Sequence, residues 1–199
     1  MMKQRVSLVA CLLVVVCIDG CNKAGGDEKK ADDKSQAADG PPPDPPTVAA
    51  IPATPIRAAV QGEPFKSPHV LVREGAERAF EVVVIDGKPE ANDPCSFKKT
   101  KQVSLATNQQ YEIGKPYELT GSRTTVGGDI CDGEWFSFPD KVVAAFQLDS
   151  HANAEGDKPG RIKIRIAARL TAKNGDKTVE GWMSGTYEGT MCKDLKRLD

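Results

Sequence analysis

RIKIRIAARLTAKNGDKTVEGWMSGTYEGTMC, residues 161–192, consists of two alternating apolar and polar runs on either side of Lys173-Asn174-Gly175-Asp176. Alternation with a period of two marks a strand with one buried face, and Asn-Gly between two such runs marks a hairpin, because a type I′ turn needs φ > 0 at both central residues. With Asn174 and Gly175 at those positions, Ile166 stands opposite Met183, Ile162 opposite Tyr187 and Leu170 opposite Val179. On the other side Arg169 meets Glu180, Arg161 meets Glu188, and Ala167 lies across from Trp182. Apolar pairing and opposite charges thus select one register. Gly181, Gly185 and Gly189 recur on the core side of the second run, where glycine leaves room for a large facing side chain.

Upstream of the hairpin the same reading repeats. Val70 to Val72, Phe80 to Ile85, Phe97 to Ala106, Tyr117 to Val126, Phe136 to Phe138 and Val142 to Leu148 read as strands, with Gly, Pro, Asp and Asn between them. Val82 to Ile85 is apolar on both faces, which places that strand centrally. Lys98, Lys99 and Lys101 suit a blunted edge strand. The last three runs form a meander, with Val142, Ala144, Phe146 and Leu148 on its buried face. No long amphipathic helix is written into the chain. The expectation is all-β: a single antiparallel β-sandwich or partly closed barrel of about eight strands, spanning residues 65–199 and preceded by a disordered linker.

The amino terminus carries an address. Met1-Met2-Lys3-Gln4-Arg5 is basic, and the apolar run from Val6 to Ile18 is too short to span a bilayer, as in a secretory signal. It ends in Ile18-Asp19-Gly20-Cys21, which resembles the lipobox of bacterial lipoproteins. That resemblance implies a signal peptide over residues 1–20, diacylglycerol on the Cys21 thiol, and an acyl group such as palmitate on the new amino terminus. Several acyl chains on one residue give durable membrane anchoring, since each buried methylene contributes roughly 0.8 kcal/mol. Asn22, rather than the Asp that retains enterobacterial relatives on the inner membrane, implies the outer membrane of the cell envelope.

Between anchor and domain, residues 21–64 are rich in Lys, Asp, Gly, Ala and Pro and hold no aromatic residue. Such a segment cannot bury enough apolar surface to offset the entropy of ordering. Its second half, Gly40-Pro41-Pro42-Pro43-Asp44-Pro45-Pro46, favours polyproline II. As a flexible chain it would span roughly 35 Å and hold the domain off the membrane.

Three cysteines remain in the domain for an oxidising compartment: Cys95, Cys131 and Cys192. One disulfide and one leftover thiol follow, with Cys95–Cys131 the first pairing and Cys95–Cys192 the second. None of the three has a neighbouring His to make it a nucleophile.

From Phe65 onward 20 Lys and Arg face 20 Asp and Glu, so no basic field for nucleic acid exists. His69 and His151 are far apart in sequence and read as surface residues. Gly127-Gly128-Asp129-Ile130-Cys131-Asp132-Gly133-Glu134 reads as a Gly-rich loop but lacks calcium-loop spacing. No nucleophile elbow, Walker loop or zinc-protease motif occurs, so neither a cofactor nor a metal nor enzymatic activity is expected. The one surface with chemical character is the outer face of the hairpin, where Arg165 and Arg169 flank Trp182; an indole among guanidinium groups can stack on a sugar and clamp a carboxylate or phosphate. The chain therefore reads as an envelope lipoprotein, bound to the membrane by lipid, whose β domain is a non-enzymatic module for an envelope protein or an anionic glycan. A passive structural accessory and an enzyme without familiar motifs are the alternatives.

Overall fold

The computed structural model describes residues 40–75, 79–108, 110–120, 126–137, 139–156 and 158–198, all within one unit, Gln36–Asp199. The signal segment, Cys21 and the first part of the expected linker lie outside the described residues.

Strands dominate, in the order β1 (Arg57–Val60), β2 (Glu63–Pro64), β3 (Pro68–Glu74), β4 (Phe80–Asp86), β5 (Ser96–Lys98), β6 (Gln102–Thr107), β7 (Pro116–Thr120), β8 (Val126–Asp132), β9 (Glu134–Ser137), β10 (Lys141–Ala152), β11 (Arg161–Asn174), β12 (Lys177–Thr190) and β13 (Lys196–Leu198). A six-stranded antiparallel sheet runs β2-β1-β12-β11-β10-β7, and a five-stranded antiparallel sheet runs β3-β4-β6-β8-β9. β5 and β13 form a separate parallel pair. The domain is therefore all-β, but it is several sheets packed together and not the single closed sandwich or barrel of about eight strands that the sequence suggested. Val82, Val84, Val103, Leu105 and Ile130 of the smaller sheet meet Phe146, Ile162, Ile164, Ile166 and Leu170 of the larger in one core.

The hairpin register shows what packing demands. Arg161 pairs with Thr190 and Asn174 with Lys177, so Gly175 and Asp176 occupy the turn and the ladder slips by two residues from the Asn-Gly register. Gly175 has φ 60° and Asp176 is not in the positive-φ region, the pattern of a type II′ turn with glycine first. A slip of two preserves the faces. What it changes is volume: Gly181, Gly185 and Gly189 now face Leu170, Ile166 and Ile162, while Met183 faces Ala168. The Asn-Gly register would set Gly181 against Ala168 and Met183 against Ile166, leaving a void beside an overfilled step. Large against small outweighs the preferred turn and the lost Arg169–Glu180 pair. A new cross-strand pair, Lys163 Nζ to Glu188 Oε2 at 3.0 Å, takes its place.

Two other strands differ from expectation. The run Phe97 to Ala106 breaks at the lysine cluster into β5 and β6, and β6 is central, between β4 and β8, rather than an edge. The expected Gly-rich loop at 127–134 is largely strand: it forms β8 and a turn at Gly133, φ 75°, into β9. Gly128 lies where a side chain could not, since a Cβ there would stand 2.7 Å from Leu170 Cδ2 of the other sheet.

The expected linker is structured from Gly40 onward. Residues 40–51 run over the outer face of the larger sheet, burying Val48 and Ile51 on Ala145 and Ala167. Pro42 and Pro46 are buried as well. Thr54 O accepts hydrogen bonds from Thr186 N at 2.8 Å and Thr186 Oγ1 at 3.0 Å before the chain enters the sheet as β1 beside β12. Composition misled here because the buried area comes from a few apolar residues meeting small alanines, not from a continuous apolar run.

Cys95 is bonded to Cys192 with the Cα atoms 5.8 Å apart, and Cys131 is the buried free thiol. This corrects the first-ranked Cys95–Cys131 pairing: Cys131 is buried within β8, paired with Gln102 of β6 and Trp135 of β9, while Cys192 leaves β12 and binds the backbone of β3, donating to Val72 O at 2.7 Å and accepting from Glu74 N at 2.8 Å.

Two outcomes test this architecture. Gly185 has φ 141° and a Cβ there would meet Ile56 Cα at 2.7 Å, so Gly185→Ala should cost roughly 2 to 4 kcal/mol in urea unfolding, against about 0.5 kcal/mol or less for Gly127→Ala in open space. Opening the 97-residue separation with Cys95→Ser and Cys192→Ser together should lower stability by about 4 to 5 kcal/mol on the chain-entropy account.

Candidate functional site

The outer face of the larger sheet carries the residues singled out from the sequence. On β11, Lys163, Arg165, Ala167 and Arg169 follow one another on this face. The two-residue slip places Arg169, not Ala167, directly opposite Trp182, while Ala167 faces Ser184 and Arg165 faces Thr186. Trp182 is half-buried, with Ala59 of β1 on its other side. The fold thus brings Arg169 and Trp182 together and leaves Arg165 two steps along the same face, beyond Ala167.

Several cations on this face have partners. Arg165 Nη2 is 3.4 Å from Asp149 Oδ1, and Arg169 Nη1 donates to Pro42 O at 3.5 Å. Lys141 Nζ reaches Asp44 Oδ2 at 3.3 Å, a second tie between the proline-rich segment and the sheet. Ala167 is only 1% exposed beneath Val48 and Ile51. The patch is therefore narrower than the sequence implied, since one half is roofed by the chain's own residues 40–51. A carbonyl is a weaker partner for guanidinium than a carboxylate, so of Arg165 and Arg169 the latter is the more readily redirected to a ligand. Cys21 lies outside the described residues.

The carboxylates of the 127–134 stretch do not gather. Asp129 meets Arg197 Nη2 at 3.3 Å, Asp132 meets Lys101 Nζ at 3.7 Å and Glu134 meets Lys177 Nζ at 3.6 Å. Among the described residues no three His, Cys, Asp or Glu side chains are arranged to hold a metal. The Cys131 thiol is pushed up by burial, an effect only partly offset by the Lys99 charge and the Gly133 N–H, so it stays protonated and unreactive. His69, on β3, is partly buried, and burial holds its imidazole below the ordinary value.

A second cluster was not visible in the sequence. On the outer face of the smaller sheet, Arg197 of β13 has its Cζ 4.8 Å from the centre of the Trp135 ring, and its Nη2 is 3.4 Å from Glu81 Oε1 and 3.3 Å from Asp129 Oδ2. Arg73 Nε pairs with the other Glu81 oxygen at 2.9 Å. Five strands, β3, β4, β8, β9 and β13, supply these groups, so no single spacing announces them. Along the same face Gln102 lies opposite both Ile85 and Cys131, wholly buried, with neither Nε2 nor Oε1 hydrogen-bonded. Leaving such an amide unpaired costs about 1 to 3 kcal/mol. Ile85, Val83 and Leu71 are covered here by Phe97 and Leu195, from the segments that hold β5 and β13.

No family model, curated protein or solved structure matches the chain.

Asp93 governs how firmly β13 is held. Its carboxylate accepts from Ser96 Oγ at 2.7 Å, Lys196 Nζ at 3.1 Å and Cys95 N at 3.1 Å, and these bonds hold it below the ordinary carboxylate range. A depressed folded pKa contributes stability that is complete above the unfolded value and is lost as pH falls through the folded one. The protection of the Lys196 and Lys99 amides, whose N–H groups bond Cys95 O and Leu198 O, taken against the intrinsic exchange rate at each pH, should therefore fall only in acid for the natural chain. In Asp93→Asn it should already be reduced at neutral pH.

Proposed function

We propose that this protein is a membrane-anchored envelope lipoprotein, held by acyl chains on Cys21, whose β domain is a non-enzymatic interaction module. Its ligand is an anionic envelope glycan or an acidic surface of an envelope protein, met on the outer face of the larger sheet by Trp182, Arg169 and Arg165. The observation that carries this reading is the pairing of Arg169 with a half-buried Trp182 across the β11–β12 ladder. An indole face takes a sugar ring while the neighbouring guanidinium takes its carboxylate. Residues 40–51, which lie on this face, also form the route from the domain toward Cys21. On this reading the module sits closer to the bilayer than a fully flexible tether of residues 21–64 would place it.

Binding of the domain to isolated envelope polysaccharide should weaken as salt rises, since exposed charges are screened over about 8 to 10 Å near physiological ionic strength. Trp182→Ala should weaken it about tenfold, the loss of roughly 1.4 kcal/mol of stacking on the sugar ring, with the circular dichroism spectrum unchanged. Unaltered binding by that variant would remove the site. Metabolic labelling with palmitate should mark the natural protein and not Cys21→Ala.

A further inference from the structure

The outer face of the smaller sheet presents a different arrangement from the Trp182 patch: here the guanidinium comes from a remote segment and is held on three sides, with its remaining side open to solvent. Glu81 from β4, Asp129 from β8 and Trp135 from β9 make three sides of a cage, and Arg197 fills it with contacts of 3.4 Å, 3.3 Å and 4.8 Å. Two carboxylates and an indole face are the chemistry that selects a planar, delocalised cation over a compact ammonium. The backbone beside the cage is equally specific. β5 pairs with β13 as parallel neighbours, Lys196 with Ser96 and Leu198 with Lys98, and β13 is its only strand partner among the described residues. A sheet edge plus a side-chain cage is the general design by which an extended peptide is recognised.

We propose that β5 and the Glu81–Asp129–Trp135 cage form a binding site for an extended, arginine-bearing segment of a partner protein, occupied in cis by Lys196-Arg197-Leu198. This reading is independent of the Trp182 patch, which lies on the other sheet. Two observations make the resident segment exchangeable. β13 is only three residues long, all of them exposed, with Leu198 at 40% an apolar side chain left largely in water. Its cation pairs are partly solvated on the arginine side, so solvent reaches them. The disulfide at Cys192 tethers β13 a few residues away and gives it an effective concentration on the order of millimolar, so a partner gains entry only when the cis arginine is out of the cage.

The experiment uses the full chain with Arg197→Glu, which sets like charge against Glu81 and Asp129 and drives β13 off. A fluorescent peptide of residues 193–198 is titrated against it by anisotropy, alongside the natural chain and a peptide carrying Arg197→Gln. The arginine peptide should bind the variant at least about tenfold more tightly than the natural chain, and the glutamine peptide should bind neither. Equal affinity of the arginine peptide for a folded variant and the natural chain overturns the proposal, as does equal binding of the two peptides. Should Arg197→Glu fail to fold, Arg197→Ala takes its place with the same expectations at smaller amplitude. Concentration-dependent dimerisation of the natural chain through exchanged carboxyl termini would assign the occupant to a second copy and overturn the partner-protein reading.

Discussion

The alternation of large and small side chains across the β11–β12 ladder is the constraint on which the other features rest. Leu170, Ile166 and Ile162 project from one strand, and glycines stand opposite each of them on the next. This leaves the facing sheet room to approach: a Cβ at Gly181 would lie 3.0 Å from Val103, and Gly128 on the other sheet sits beneath Leu170. Because protein interiors are filled to near-crystalline density, the pairing that removes voids outweighs a turn that is better by local preference. The register follows from volume, and the faces follow from the register.

A sheet packed on one side presents a second face, and both second faces here are partly covered by other segments of the chain. Residues 40–51 lie over Ala145 and Ala167, while the stretches around Phe97 and Leu195 lie over Leu71, Val83 and Ile85. The first cover needs little apolar area of its own because the surface beneath it is built of alanines, whereas the second sets large apolar side chains on large ones. The disulfide holds one cover at its root. Charges are then distributed as local pairs: Lys163 with Glu188, Arg165 with Asp149, Arg73 and Arg197 with Glu81. Near neutrality of the domain arises from pairing by neighbours, and pairs this exposed steer specificity more than they stabilise.

Two tryptophan–arginine pairs result, one on each sheet, with opposite character. Trp182 and Arg169 belong to adjacent strands, and Arg169 is engaged by the Pro42 carbonyl at 3.5 Å. Trp135 and Arg197 come from segments some sixty residues apart, and two carboxylates close the contact. An arginine held by a carbonyl keeps most of its donors for a ligand, whereas one held by two carboxylates and an indole is itself the ligand of its site. The same pair of residue types thus makes an open surface in one place and a filled one in the other.

The strands around Val70–Val72 and Phe80–Ile85, the β10–β11–β12 meander, the central position of β4 and the buried face of β10 were legible in the sequence, because each depends on alternation or apolar continuity within a single strand and the backbone obliges neighbours to opposite faces. The proximity of Arg169 and Trp182 to one face was legible for the same reason, since a two-residue slip leaves faces unchanged. What the sequence could not determine was everything set by the space between segments: the register chosen by volume, the division of the 97–106 run at its lysines, the docking of residues 40–51, and the choice of Cys192 rather than Cys131 as the partner of Cys95. The Glu81, Asp129, Trp135 and Arg197 cluster belongs to the same class, because its members meet only once two sheets are stacked and the carboxyl-terminal segment is laid across one of them. Local chemistry writes the strands; close packing of distant surfaces decides which of their side chains meet.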